Sequence, residues 1–164
     1  PSLDSSGMMS SGMMQINAGL TYQVHVLGDV ARPGTYRVPP SVRLYEALNL
    51  SGGVLSRGSM RRIELRRSGG STRRVDFFLF QQFGHLDNNP YLLDNDVVFV
   101  PSREKMVQIA GTVKRPGLYE LIGEKTIDDI VRLSGGITPG SEGSGAIRVI
   151  RYQEGKKKLI DIII

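Results

Sequence analysis

"HVLGDVARPGTYRV" (His25–Val38) and "QIAGTVKRPGLYEL" (Gln108–Leu121) are the two stretches on which the reading of this chain turns. One constant offset of 83 residues carries Gly28 onto Gly111, Val30 onto Val113, Arg32 onto Arg115, Pro33 onto Pro116, Gly34 onto Gly117 and Tyr36 onto Tyr119. The same offset brings "LNLSGGV" (Leu48–Val54) onto "VRLSGGI" (Val131–Ile137) without a gap. Self-similarity at one fixed period marks an internal repeat, so the 164-residue chain reads as two small units in tandem.

Inside each copy, periodicity and turn residues set the elements. Tyr22, Val24 and Val26 alternate with Gln23, His25 and Leu27, the period of a half-buried strand. Pro33-Gly34 reads as a turn, with proline presetting φ and glycine accepting positive φ, and "TYRV" returns to complete a hairpin. Leu44, Ala47 and Leu48 then mark one face of a short helix, as do Ile127, Ile130 and Val131. Thr126 and Asp129 form a capping box; the first copy has Arg43 in place of Thr126, so its helix starts more weakly or is capped by Ser41. Both helices are expected to stop at Ser-Gly-Gly, where Gly52, Gly53, Gly135 and Gly136 can turn left-handed. A second hairpin is predicted over Arg61–Phe80 ("RRIELRR", "SGGS", "RRVDFFLF"), with "IRVIRYQEGKKKLIDI" (Ile147–Ile162) as its counterpart. The first copy closes with "YLLDNDVVFVP" (Tyr91–Pro101), whose Val97–Val100 run reads as a buried strand. Hairpin, helix, then further strands gives an α+β class, a helix packed on a small mixed sheet.

Composition narrows the chemistry. The absence of cysteine removes disulfides, zinc fingers and thiol catalysis together. No apolar run approaches the ~20 residues of a membrane-spanning helix. Twenty-one basic against 16 acidic residues give a net charge of +5, which favours anionic partners. Residues 1–20, rich in Ser, Gly and Met, read as a linker or tether. The pairs Met8-Met9 and Met13-Met14 suit opportunistic packing better than metal binding, since thioethers alone are weak selective ligands.

Few residues suggest a reaction. His25 and His85 lack a nucleophile partner in any recognisable motif, and no cofactor or metal is expected. Asp87, Asp94 and Asp96 cluster without the regular spacing of a calcium loop, which points to turns. The repeated Gly28, Pro33, Gly34, Gly111, Pro116 and Gly117 read as turn makers, and Gly52, Gly53, Gly135 and Gly136 end helices, so none forms a phosphate cradle at a helix start. The most informative polar feature is basic: Arg61, Arg62, Arg66, Arg67, Arg73 and Arg74 on one hairpin, with Arg148, Arg151 and Lys156–Lys158 on its counterpart. Arg62, Glu64 and Arg66 are expected to share a face opposite Ile63 and Leu65, as either a solvated stripe or a surface for an anionic glycan or partner. Nucleic acid is disfavoured: no helix is markedly basic, and Phe77, Phe78 and Phe80 make no RNA-binding aromatic pattern.

The G-x-V-x-x-P-G-x-Y hairpin, the helix ending in S-G-G and the closing "DNDVVFVP" resemble the soluble-ligand-binding β-grasp domain (SLBB). The tandem arrangement is similar to the periplasmic part of outer-membrane polysaccharide export proteins. The resemblance implies two β-grasp modules, 21–102 and 103–164. The second lacks its closing strand, because the counterpart of Val98 would fall beyond Ile164. It further implies homo-oligomeric rings in the periplasm at the outer membrane, contact with polysaccharide and with an inner-membrane polysaccharide copolymerase, and no catalysis. A stand-alone small-ligand-binding module is the alternative. The terminal "KLIDIII" (Lys158–Ile164) reads as a strand edge, expected to lie against a neighbouring molecule or against Met13–Ile16 folding back.

Overall fold

The computed structural model describes residues 19–140 and 146–163. The first module runs β1 (Tyr22–Gly28), β2 (Gly34–Val38), α1 (Leu44–Leu50), β3 (Ile63–Arg66), β4 (Thr72–Val75), α2 (Phe77–Phe83) and β5 (Asp96–Val100). Its five strands are ordered β2-β1-β5-β3-β4, with β5 parallel to β1 and antiparallel to β3. The second module runs β6 (Lys105–Gly111), β7 (Gly117–Leu121), α3 (Ile127–Leu133), β8 (Ala146–Gln153) and β9 (Lys156–Ile163), in the order β7-β6-β8-β9. Remove β5 from the first sheet and the two orders coincide, directions included. The chain is therefore α+β with two similar modules. The first core gathers Val24, Val26, Leu44, Leu48, Ile63, Leu65, Val98 and Val100; the second gathers Val107, Ile109, Ile130, Val131 and Val149.

The two repeated motifs exist because each holds the other. The loop between β1 and β2 docks on the helix end: Ala31 N–H donates to Gly53 O at 3.0 Å and Arg32 N–H to Ser51 O at 2.8 Å. The second copy repeats both bonds, Lys114 to Gly136 and Arg115 to Ser134, at 2.9 and 3.0 Å. Tyr36 closes its loop by donating its hydroxyl to Arg32 O, and Tyr119 does the same to Arg115 O, each at 2.5 Å. All four glycines after the helices are left-handed, as expected. The glycine of the Pro-Gly pair is not: Gly34 and Gly117 open β2 and β7, and positive φ falls instead on Gly28 and Gly111 at the ends of β1 and β6. A Cβ on Gly28 would lie 2.1 Å from Val100 O, so this position must be bare for β5 to pass.

Two further expectations need correction. The strand predicted through "RRVDFFLF" stops at Val75, and Phe77–Phe83 is helical. Asp76 is drawn to Arg61, while Phe77 and Phe80 face the Tyr45 ring of α1 at 6.2 and 6.0 Å between centroids. The start of α1 is not capped by Ser41. Asn89, buried in the loop before β5, accepts the Tyr45 N–H at 2.9 Å, and Glu46 accepts the Arg43 N–H. The capping box at Thr126 and Asp129 forms as expected. The C-terminal run is paired with β8 of its own module from Lys156 to Ile163. Met13–Ile16 lies outside the described residues.

Candidate functional site

The six arginines do not make one stripe. Arg61, which precedes β3, is only 7 % exposed. Its guanidinium donates to Asp76 Oδ2 at 3.0 Å, Glu120 O at 2.6 Å and Glu124 Oε1 at 2.7 Å, so it ties the first module to the second. Burial opposes its charge, but the hydrogen bonds it donates to Glu124 and Asp76 outweigh that and raise its pKa. Arg62 completes the joint, reaching Glu120 at 3.2 Å, Glu104 at 2.7 Å and Ser102 O at 2.7 Å. Ser59 donates to the other Glu120 oxygen at 2.6 Å, and Phe78 meets Tyr119 edge to face. Buried Arg61 and partly buried Arg62 are thus both paired with protein partners.

The rest are spread out. Arg66 bonds Glu64 on its own strand and lies over the Phe99 ring. Arg67 donates to Asp96 Oδ2 at 2.6 Å, and Asp96 is 1 % exposed. Burial raises the Asp96 pKa despite the Leu93 N–H and the Arg67 charge. Arg73 donates to Asp87 O. Arg74 is exposed. The expected face of Arg62, Glu64 and Arg66 keeps only the last two, because Arg62 leaves the strand for the module joint.

The concave feature that does collect charge lies at that joint. A cleft of about 490 Å³ is lined by Arg62, Arg74, Lys105, Lys125 and Arg151, with Glu104 and Glu124 as its acids. Both acids are taken: Glu104 by Arg62, which lowers its pKa, and Glu124 by Arg61. Arg74, Lys105 and Lys125 stand exposed around the rim. Lys105, Lys125 and Arg151 come from elements far from the hairpin in sequence, so only charge density in the second copy hinted at them.

A family model for the SLBB domain matches the chain twice, over residues 23–76 and 106–159. The chain belongs to the SLBB domain family. No curated protein matches it significantly. Each SLBB module carries the hairpin loop and Ser-Gly-Gly turn locked as described above, so Gly52, Gly53, Gly135 and Gly136 shape the helix ends, whereas Pro33 and Pro116 directly precede β2 and β7 and do not form the expected Pro-Gly turn. Outside the cleft, His25 Nδ1 shares a hydrogen bond with Thr35 Oγ1, and His85 is exposed beside Phe83. Asp94 accepts the Gln23 N–H, and Asp96 accepts the Leu93 N–H, so these carboxylates shape the approach to β5. Among the described residues, no group of three or more His, Asp or Glu is placed to hold a metal ion, and no helix is long and apolar enough to cross a membrane.

Proposed function

We propose that this tandem SLBB unit is a non-catalytic, periplasmic part of a polysaccharide export protein. In that setting it assembles with copies of itself, works beside an inner-membrane polysaccharide copolymerase, and contacts the passing glycan at the cleft between its modules. The observation that carries the glycan contact is the charge balance of the cleft. Five cations line it; Arg62 is paired with Glu104 and Glu120, the second acid Glu124 is paired with Arg61, and Arg74, Lys105 and Lys125 stand exposed at the rim. Its volume falls within the ~300–1,000 Å³ of ligand clefts. Such a rim fits a polyanionic chain, such as a uronic-acid glycan, better than a neutral one.

The test is binding of acidic and neutral oligosaccharides by calorimetry, in low and physiological salt. Three exposed ion pairs at about 0.2–1 kcal/mol each amount to roughly tenfold in affinity. The triple variant Arg74→Ser, Lys105→Ser, Lys125→Ser should lose about that much with an unchanged melting temperature, and added salt should weaken the wild type. Equal binding of neutral and acidic chains, or an unaffected triple variant, would rule the cleft out.

A further inference from the structure

We propose that Arg62 is a carboxylate subsite of the cleft, occupied by the chain's own Glu104 and vacated when the carboxylate of an acidic sugar unit takes its place. This subsite rests on the reading of the cleft as a glycan contact. It adds to that reading the group that meets the sugar carboxylate and the side chain that competes for it.

The three partners of Arg62 differ in how firmly they are held. Nε donates to Glu120 Oε1 at 3.2 Å, and Nη2 donates to Ser102 O at 2.7 Å. Glu120 is 6 % exposed and also accepts the Ser59 hydroxyl, so it cannot turn away without undoing the module joint. The third nitrogen, Nη1, meets Glu104 Oε1 at 2.7 Å, and the Glu104 side chain is 68 % exposed. Among the described residues no other hydrogen bond or ion pair holds that side chain. The Glu104 backbone is fixed, its N–H donating to Glu120 Oε1 at 3.3 Å, so only the side chain has to move. Arg61 has no partner of this loose kind, since Asp76 and Glu124 are both largely buried.

The place held by the Glu104 carboxylate is also where the cations of the cleft converge. The hydrogen bond and charge of Arg62 come first in holding its pKa below the ordinary value, and Lys105 and Arg74 add to them against a small desolvation. A carboxylate carried by a glycan meets the same three cations there. When Glu104 swings out, Nε and Nη2 keep their bonds, so the guanidinium stays aligned with Nη1 free and little ordering is lost on binding. An exposed ion pair is worth at most roughly fivefold in an equilibrium constant, so Glu104 is easily displaced and weakens glycan binding by about that factor. A lone carboxylate only exchanges one ion pair for another. A chain that reaches Lys125 as well gains beyond the exchange, which makes the subsite selective for polyanions.

The test is calorimetric titration of the full chain, at physiological salt, with an oligogalacturonate and with a neutral malto-oligosaccharide. Glu104→Gln should bind the acidic chain about fivefold more tightly than the wild type and the neutral chain no differently. Glu104→Asp keeps the charge but draws it back by one methylene, and should give a smaller gain in the same direction. Asp128→Asn makes the same change of charge at an exposed pair with Arg132, away from the lining of the cleft, and should leave the affinity unchanged. Unchanged or weaker binding by Glu104→Gln, where the wild type binds the acidic chain, would overturn the subsite and leave the cleft reading standing. So would a gain shared by Asp128→Asn or missing from Glu104→Asp, since either makes Glu104 a general repulsive charge. Binding of the acidic chain by neither the wild type nor Glu104→Gln would overturn both readings, whereas binding by Glu104→Gln alone would support the occupied subsite.

Discussion

Arg61→Ala is the substitution whose consequence follows most directly from the structure. The side chain is 7 % exposed, and its three polar contacts reach both modules. Removing it leaves Asp76 and Glu124, 12 % and 11 % exposed, without their counter-charge, and leaves Glu120 O without its donor. Breaking a mostly buried ion pair by removing one partner costs about 3–5 kcal/mol, chiefly because the surviving charge stays desolvated. At about 2–4 °C per kcal/mol for a chain of this size, the melting temperature should fall by roughly 6–20 °C. Arg66→Ala is the internal standard, since its pair with Glu64 is half exposed and worth about 0–1 kcal/mol. Calorimetric melts of the wild type and both variants decide the matter. The wild type should unfold in one transition, and the Arg61 variant should split it or shift it far more than the Arg66 variant does. If Arg61→Ala lies within about 1 kcal/mol of Arg66→Ala, the joint is not held by this arginine and the reasoning fails.

Glycine positions separate conformational strain from collision: Gly28→Ala and Gly53→Ala both force alanine to φ +87°. Only the former drives its methyl onto a backbone oxygen, so Gly53→Ala should cost about 1–2 kcal/mol and Gly28→Ala more than about 4 in urea unfolding, with similar losses counting against the packing of β5. Acid should loosen the joint through Glu124. Burial raises its pKa, but the Arg61 guanidinium and the N–H groups of Ile122 and Gly123 outweigh this and hold it below the ordinary carboxylate value. A folded pKa below the unfolded one stabilises at pH above the unfolded value, about 4.3, and that contribution disappears as pH falls through the folded value. The melting-temperature gap between wild type and Glu124→Gln should therefore be widest near neutrality and close below about pH 4, and a gap independent of pH would contradict the assignment.

The sequence by itself determined the duplication, the hairpins, the short helices and their Ser-Gly-Gly ends. Each of these rests on interactions within a few residues: strand alternation, a three-residue capping box, and glycines that alone tolerate left-handed backbone. Even there, which glycine of the hairpin turns left-handed depended on a distant neighbour, since it is the passage of Val100 that demands Gly28. The tertiary structure decided the rest. Asn89 caps a helix from 44 residues away, and Arg61 finds its partners 59 and 63 residues along the chain. An arginine row looks the same in sequence whether it is solvated or buried, because the carboxylates that make burial tolerable belong to another part of the chain. The cleft is legible only where the sheets are assembled. Charge balance and hydrogen-bond satisfaction are properties of neighbours in space, and only the fold chooses those neighbours.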